Sequence, residues 1–346
     1  MNSRCLSVPT CSVVLFGLLL SVSPVSGQEQ PRFTVQESFA TTGKGGKLGP
    51  FAYISSMVAA PSGDIWVADS HNEEIVALSA RGEQLREIAS SGSGPGEVKK
   101  PMMMTALPGE RGVAVYDAEH LAIELFGPDG AFRERIPLSE RPIFLKGFVA
   151  LSDGRFAMSG GYRTAASSIR LIDREGEAGE GFLTRRSLEG EGRIARRAAL
   201  NLAGGALARD GSGRLLFSKA APHRVFRLDL ETGERTVLAE DEDLLAYPGR
   251  SFYEETESGA WDPSFEYPRS VFVGRLQDGR ILNVIRYQER GETLFQLYDG
   301  NGQLVDSLRV EKAYTPHALT GDGRLLASYQ RPATGEHVAT ALTLQY

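Results

Sequence analysis

The chain has 346 residues, of which 41% are apolar and 24% charged, with 39 Gly, 17 Pro and 2 Cys. These proportions belong to a folded globular chain and exclude wholesale disorder, a collagen-like repeat and a polytopic membrane protein. A formal charge of −6 leaves no basic surplus to release counterions from phosphates, which excludes a general nucleic-acid binder.

Residues 1–27 open with one positive charge at Arg4, pass through an apolar run centred on Val13 to Leu20 and close on Val25-Ser26-Gly27. These are the three regions of a secretory signal peptide, with cleavage expected between Gly27 and Gln28 and a secreted or periplasmic product, residues 28–346. The run falls short of the roughly 20 apolar residues that cross a hydrocarbon core, and no transmembrane segment is expected in the mature chain. Both cysteines, Cys5 and Cys11, lie in this segment. The mature chain therefore has no thiol for disulfide, metal or nucleophile chemistry.

The segment from Arg32 to Phe39 alternates with period two and stands outside the repeat that follows. The first copy of that repeat starts at Met57-Val58-Ala59, turns at Pro61-Ser62-Gly63-Asp64 and runs through Ile65 to Asp69. It continues with Ile75 to Leu78, a turn at Arg81-Gly82-Glu83 and Leu85 to Ile88. Four β segments in one copy make a four-stranded meander. A second copy carries Val113 to Asp117, Ile123 to Phe126 and Phe132 to Ile136. Turns at Asp153-Gly154-Arg155, Asp210 to Arg214, Asp278-Gly279-Arg280 and Asp322-Gly323-Arg324 mark a third to a sixth. Asp-Gly turns favour hairpins, since Gly and Asp tolerate positive φ and β-branched residues do not.

One meander cannot bury both its faces, whereas copies arranged radially can. Periodic units of this length predict an all-β, six-bladed β-propeller of four-stranded antiparallel blades; seven blades or a β-solenoid are the alternatives. The last copy lacks a fourth strand, and the N-terminal strand is expected to supply it and so remove a free edge.

Gly92-Ser93-Gly94-Pro95-Gly96-Glu97-Val98, with Pro101 after it, resembles the Gly-rich inter-blade linker of NHL-repeat-like six-bladed propellers. Gly63 to Asp69 is similar to the central strand motif of the same repeats, and Gly43 to Phe51 to a degenerate second linker. The resemblance covers residues 40–136 well and the remainder weakly. It implies a fold and a bacterial-type secreted propeller; it carries no activity.

No pair among His71, His120, His223, His317 and His337 has the spacing of a helical zinc site. His71 and His120 follow Asp69 and Asp117 at equivalent places, where capping of turns is expected. Asp69, Asp117, Asp173, Asp229 and Asp299 end strands in successive copies. Such carboxylates either bind calcium at a channel or accept backbone N–H bonds in turns, and repetition favours turns. No nucleophile elbow is present, so no catalytic residue, metal ligand or cofactor is assigned.

Two stretches, about 177–204 and 240–270, break the period. The first is basic, from Arg185 to Arg197; the second joins the acids Glu240 to Asp243 to an aromatic-rich run. Binding residues concentrate on such loops, and Tyr247, Phe252, Tyr253, Trp261, Phe265, Tyr267 and Arg269 are the candidates. Aromatic and acidic groups together suit a cationic or sugar-like ligand or a protein surface. The expectation is a monomeric binding or interaction module that uses its loop face and channel mouth to recognise a protein or small ligand. The alternative is a divalent-metal or His/Glu-dependent hydrolase or lyase in the channel.

Overall fold

The computed structural model describes residues 33–43, 50–162, 167–184, 204–211, 213–219, 223–241 and 268–346. These form one unit, Phe33–Tyr346. Six antiparallel four-stranded sheets make up the fold. Blade 1 holds β2 (Ile54–Ala59), β3 (Ile65–Asp69), β4 (Glu74–Leu78) and β5 (Gln84–Ala89). Blade 2 holds β6 (Pro101–Ala106), β7 (Val113–Asp117), β8 (Ala122–Phe126) and β9 (Phe132–Pro137). Blade 3 is β10 (Ile143–Ala150), β11 (Phe156–Gly161), β12 (Ser167–Ile172) and β13 (Ala178–Thr184). Blade 4 is β14 (Gly205–Arg209), β15 (Arg214–Lys219), β16 (His223–Asp229) and β17 (Arg235–Asp241). Blade 5 comprises β18 (Arg269–Arg275), β19 (Ile281–Tyr287), β20 (Glu292–Tyr298) and β21 (Leu304–Val310). Blade 6 joins β22 (Thr315–Leu319), β23 (Leu325–Gln330) and β24 (His337–Gln345) to the N-terminal β1 (Thr34–Thr41). Strand β13 takes up the first part of the stretch 177–204, and β17 and β18 take up both ends of 240–270.

The first strand of every blade is innermost. It packs against the first strands of both neighbours, which closes the ring β2, β6, β10, β14, β18, β22 and back to β2. Blade 6 is completed as the alternation of β1 requires, with Thr34 opposite Gln345 and Thr41 opposite Ala339. Glu37 of β1 accepts from Lys312 Nζ (2.6 Å) and Tyr314 Oη (2.7 Å), fastening the closing strand to the link between blades 5 and 6. Among the described residues there is no α-helix; a single 3₁₀ turn spans Pro108–Glu110.

The core is distributed over six seams, each between two neighbouring blades. In the first seam Trp66 of β3 is fully buried and meets Phe126 of β8 edge-on, with ring centroids 6.2 Å apart. Strands such as Ile281–Tyr287 are apolar on both faces because both faces meet a seam. The Asp-Gly-Arg turns join first to second strands. Gly154 and Gly279 adopt φ +92 and +88, and the preceding Asp accepts from the backbone N of the following Arg at 2.9 and 3.0 Å.

Candidate functional site

The inner strands all start at one face of the ring, termed the upper face, and run to the lower face. Asp69, at the upper end of β3, accepts backbone N–H bonds from Ala52 (2.6 Å) and Tyr53 (3.1 Å) in the incoming linker. It also accepts from His71 and Asn72 (both 3.0 Å) in the following turn. Asp117 repeats this with Lys99 (2.7 Å), Lys100 (3.2 Å), Glu119 (2.9 Å) and His120 (3.0 Å). Each carboxylate thus pins a linker to its own blade. The equivalence of His71 and His120 lies in their backbone N–H groups.

Asp173, Asp229 and Asp299 behave differently. They follow or end third strands at the lower face, where each accepts from two N–H groups of its turn. The five carboxylates therefore do not share a face. Among the described residues no three His, Cys, Asp or Glu side chains gather as a metal site.

A cavity of about 710 Å³ opens at the upper mouth. Its wall carries Lys100, Arg141, Lys146, Arg269 and Arg286, from blades 2, 3 and 5 and their linkers, and no Asp or Glu among the described residues. Arg269, the first residue of β18, is 8% exposed. Arg286 of β19 donates to Thr315 Oγ1 (2.5 Å) and to Gln288 Oε1 (3.0 Å), and burial lowers its pKa. The phenol of Tyr116 is on the same wall, and burial pushes it up to about 12 against the pull of Arg141.

Lys146 reaches this cavity through an irregularity of β10. Ile143 pairs with Gly161 and Gly147 with Ser159, so four steps on β10 face two on β11 and two residues are extra. The corresponding bulges of β2, β6, β18 and β22 each insert one. Phe144, inside the larger bulge, has φ +53, a conformation unfavourable to a bulky side chain. Glycines give the bulge its room. A Cβ at Gly160 would stand 3.2 Å from Leu145 Cα; one at Gly204 would stand 3.0 Å from Lys146 Cγ and 2.9 Å from Gly160 Cα. Burial, followed by the charges of Arg269 and Arg286, pushes the Lys146 ammonium down to about 7. Among the described residues no carboxylate pairs with it.

Deeper in the channel, all six inner strands line a narrower space of about 240 Å³. His317 of β22 borders it and shares a 2.8 Å hydrogen bond between Nε2 and Ser328 Oγ. Burial, then the charge of Arg286, pushes this imidazole down to about 3, so it is neutral at ordinary pH. At the lower rim the buried Asp210 joins two blades, accepting from Arg227 Nε (2.6 Å) and Arg275 Nε (2.5 Å).

Of the residues singled out from sequence, Arg269 is in the cavity wall. Tyr247, Phe252, Tyr253, Trp261, Phe265 and Tyr267 lie outside the described residues. Lys100, Arg141, Lys146 and Arg286 were not anticipated. Each reads locally as an ordinary surface cation, and only ring closure brings blades 2, 3 and 5 to one mouth.

No protein-family profile and no curated protein matches the chain. Solved structures do share its fold. A protein of Bacteroides fragilis, named for its expected export, superposes with TM-score 0.62 at 10% identity, covering 91% of this chain and 96% of that one. A member of the DUF4221 family from Bacteroides vulgatus gives 0.60 at 11%, covering 91% and 99%. Virginiamycin B lyase from Staphylococcus aureus, with quinupristin, gives 0.52 at 12%, covering 90% and 99%. The class this defines is the six-bladed β-propeller, with exported proteins and lyases among its structural neighbours. At such identities the likeness extends to the fold alone.

Proposed function

We propose that the protein is an exported binding module that takes a small anionic ligand, of carboxylate or phosphate type, in the upper mouth of its channel. The observation that carries this reading is the wall of that cavity: five basic side chains and no acid among the described residues, in a chain whose formal charge is −6. Burial penalises the charges of Lys146 and Arg286, and a bound anion would offset that cost. Arginine forks match carboxylate and phosphate oxygens in pairs, while Met102, Met103, Phe144 and Leu145 on the same wall offer apolar contact. Export is supported by the N-terminal pattern of residues 1–27 and by the company of exported propellers. Among the described residues no helix is long and apolar enough to cross a membrane.

Among the described residues the two channel cavities present one imidazole, His317, and no carboxylate, so these walls add no observation in favour of the hydrolase or lyase alternative.

A thermal-shift series with acetate, citrate, inorganic phosphate and a neutral sugar tests the proposal. A ligand at 100 times its Kd adds about 2.7 kcal/mol of stability. The melting temperature is expected to rise with one or more of the anions, less so as sodium chloride is added, and to ignore the sugar. Indifference to every anion would refute the reading.

A further inference from the structure

We propose that Lys146 is a nucleophilic lysine that forms an imine with a 2-oxo acid held at the upper mouth. This rests on the anion-binding reading and adds a covalent chemistry to it. Three observations of different kinds meet at this residue.

The first is placement. Lys146 lines the 710 Å³ cavity together with Arg269 and Arg286, so a carboxylate held by the guanidinium groups keeps an adjacent carbonyl near the amine. A 2-oxo acid has these two groups on neighbouring carbons, which is why it is the class chosen.

The second is the break in symmetry. Bulges recur at the start of five inner strands, as a structural feature of a repeated blade should. Only in β10 does the bulge carry two extra residues, with Phe144 at φ +53, and those residues bring Leu145 and Lys146 to the cavity. Bulges commonly re-aim side chains beside functional sites, and unfavourable backbone torsions persist where the surroundings hold them. Gly160 and Gly204 leave room for this bulge, since a Cβ at either position would crowd it or the lysine stem.

The third is charge. The groups facing Lys146 around the described wall are Arg269 and Arg286 of blade 5, Lys100 and Arg141 in the linkers to β6 and β10, and the phenols of Tyr53 and Tyr116. None is a carboxylate. An amine attacks a carbonyl only when unprotonated, and cationic neighbours with burial favour that form; here they bring the ammonium down to about 7.

The step balances without a redox partner. The Nζ lone pair attacks the carbonyl carbon, and a C–N bond forms as the C=O π pair moves to oxygen. An amine proton and one proton from solvent convert that oxygen to water, which leaves. The product is a protonated imine whose positive charge stays among the cations while the carboxylate remains paired. Tyr53 and Tyr116 line the same cavity.

The test treats the full mature chain with pyruvate and sodium borohydride and maps the modified lysines by peptide mass. The expected result is one reduced pyruvate adduct, at Lys146, with Lys99 and Lys312 essentially unlabelled. Labelling should climb about tenfold per pH unit below 7 and level off above it, where an ordinary lysine would go on climbing to about 10. Lys146→Arg should abolish the adduct while the chain still melts cooperatively. Labelling spread evenly over exposed lysines, or absent, overturns the proposal. If citrate nevertheless raises the melting temperature, only the imine fails and the anion site stands; if citrate is also without effect, the binding reading fails with it.

Discussion

Lys146 Cγ lies 3.0 Å from the point a Cβ of residue 204 would occupy, so the stem of the lysine runs through a slot that glycine keeps open. The slot belongs to the next blade, because Gly204 directly precedes β14. The position of the amine is thus set across a blade boundary, by the backbone of blade 4 acting on the bulge of blade 3.

Gly204→Ala should displace this stem. Overpacking of one methyl costs about 1–3 kcal/mol, and the loss should appear as a lower denaturant midpoint with an unchanged m-value. Citrate affinity should weaken as well, because Lys146 can no longer reach its place. An alanine variant that keeps full affinity would show that the slot does not position the amine.

Asp210 makes a second link between blades, and its removal has a different signature. Burial raises its pKa, but hydrogen bonds from Arg275 and Arg227 outweigh burial and leave the carboxyl below its ordinary value. A depressed carboxyl contributes stability above its unfolded pKa and loses it as pH falls through the folded one, hence below about 4. Asp210→Asn should cost about 2–4 kcal/mol at neutral pH, since it leaves two guanidinium groups without their anion. The wild-type and variant stability curves should converge on acidification, which urea titrations from pH 3 to 7 would reveal.

His317 titrates in the opposite sense to a salt-bridged histidine. Its folded pKa is pushed down to about 3, against about 6.5 in the unfolded chain. Between those values the unfolded state binds the extra proton, so stability rises with pH across that window and this contribution is complete above about 6.5. His317→Gln should flatten this part of the pH dependence. An unchanged slope between pH 4 and 6.5 would place the effect on other groups.

Trp66→Ala should act on the fold alone. Removing a fully buried indole from the seam of blades 1 and 2 is worth about 3–5 kcal/mol. Anion binding by the remaining folded fraction should match wild type, because Trp66 does not line the mouth.

The blades were legible in the sequence because their punctuation is local. Asp153-Gly154-Arg155 and Asp278-Gly279-Arg280 state a turn by their own chemistry, and the alternation after Arg32 marks a strand in need of a sheet. The roles of the aspartates were only half legible. Asp69 and Asp173 both end apolar segments, yet one stands at the upper face and the other at the lower, since degenerate copies conceal whether a segment is a second or a third strand. The mouth was illegible for a geometric reason. Lys100, Lys146 and Arg286 are far apart in the chain, and the extra residues of β10 leave no mark until the opposite strand fixes the register. Arg269 was chosen for its aromatic neighbours in sequence, and its described surroundings are cationic.

The central claim is that the upper mouth is an anion site, and calorimetric titration with citrate measures it most directly. Wild-type protein and the Arg269→Gln/Arg286→Gln double variant would be titrated at low and at raised sodium chloride, with folding of each checked by its melt. The account predicts one site per chain in the wild type, weakened by salt, and at least tenfold weaker in the folded double variant. Equal affinity in the two proteins, or no heat of binding in either, would contradict it.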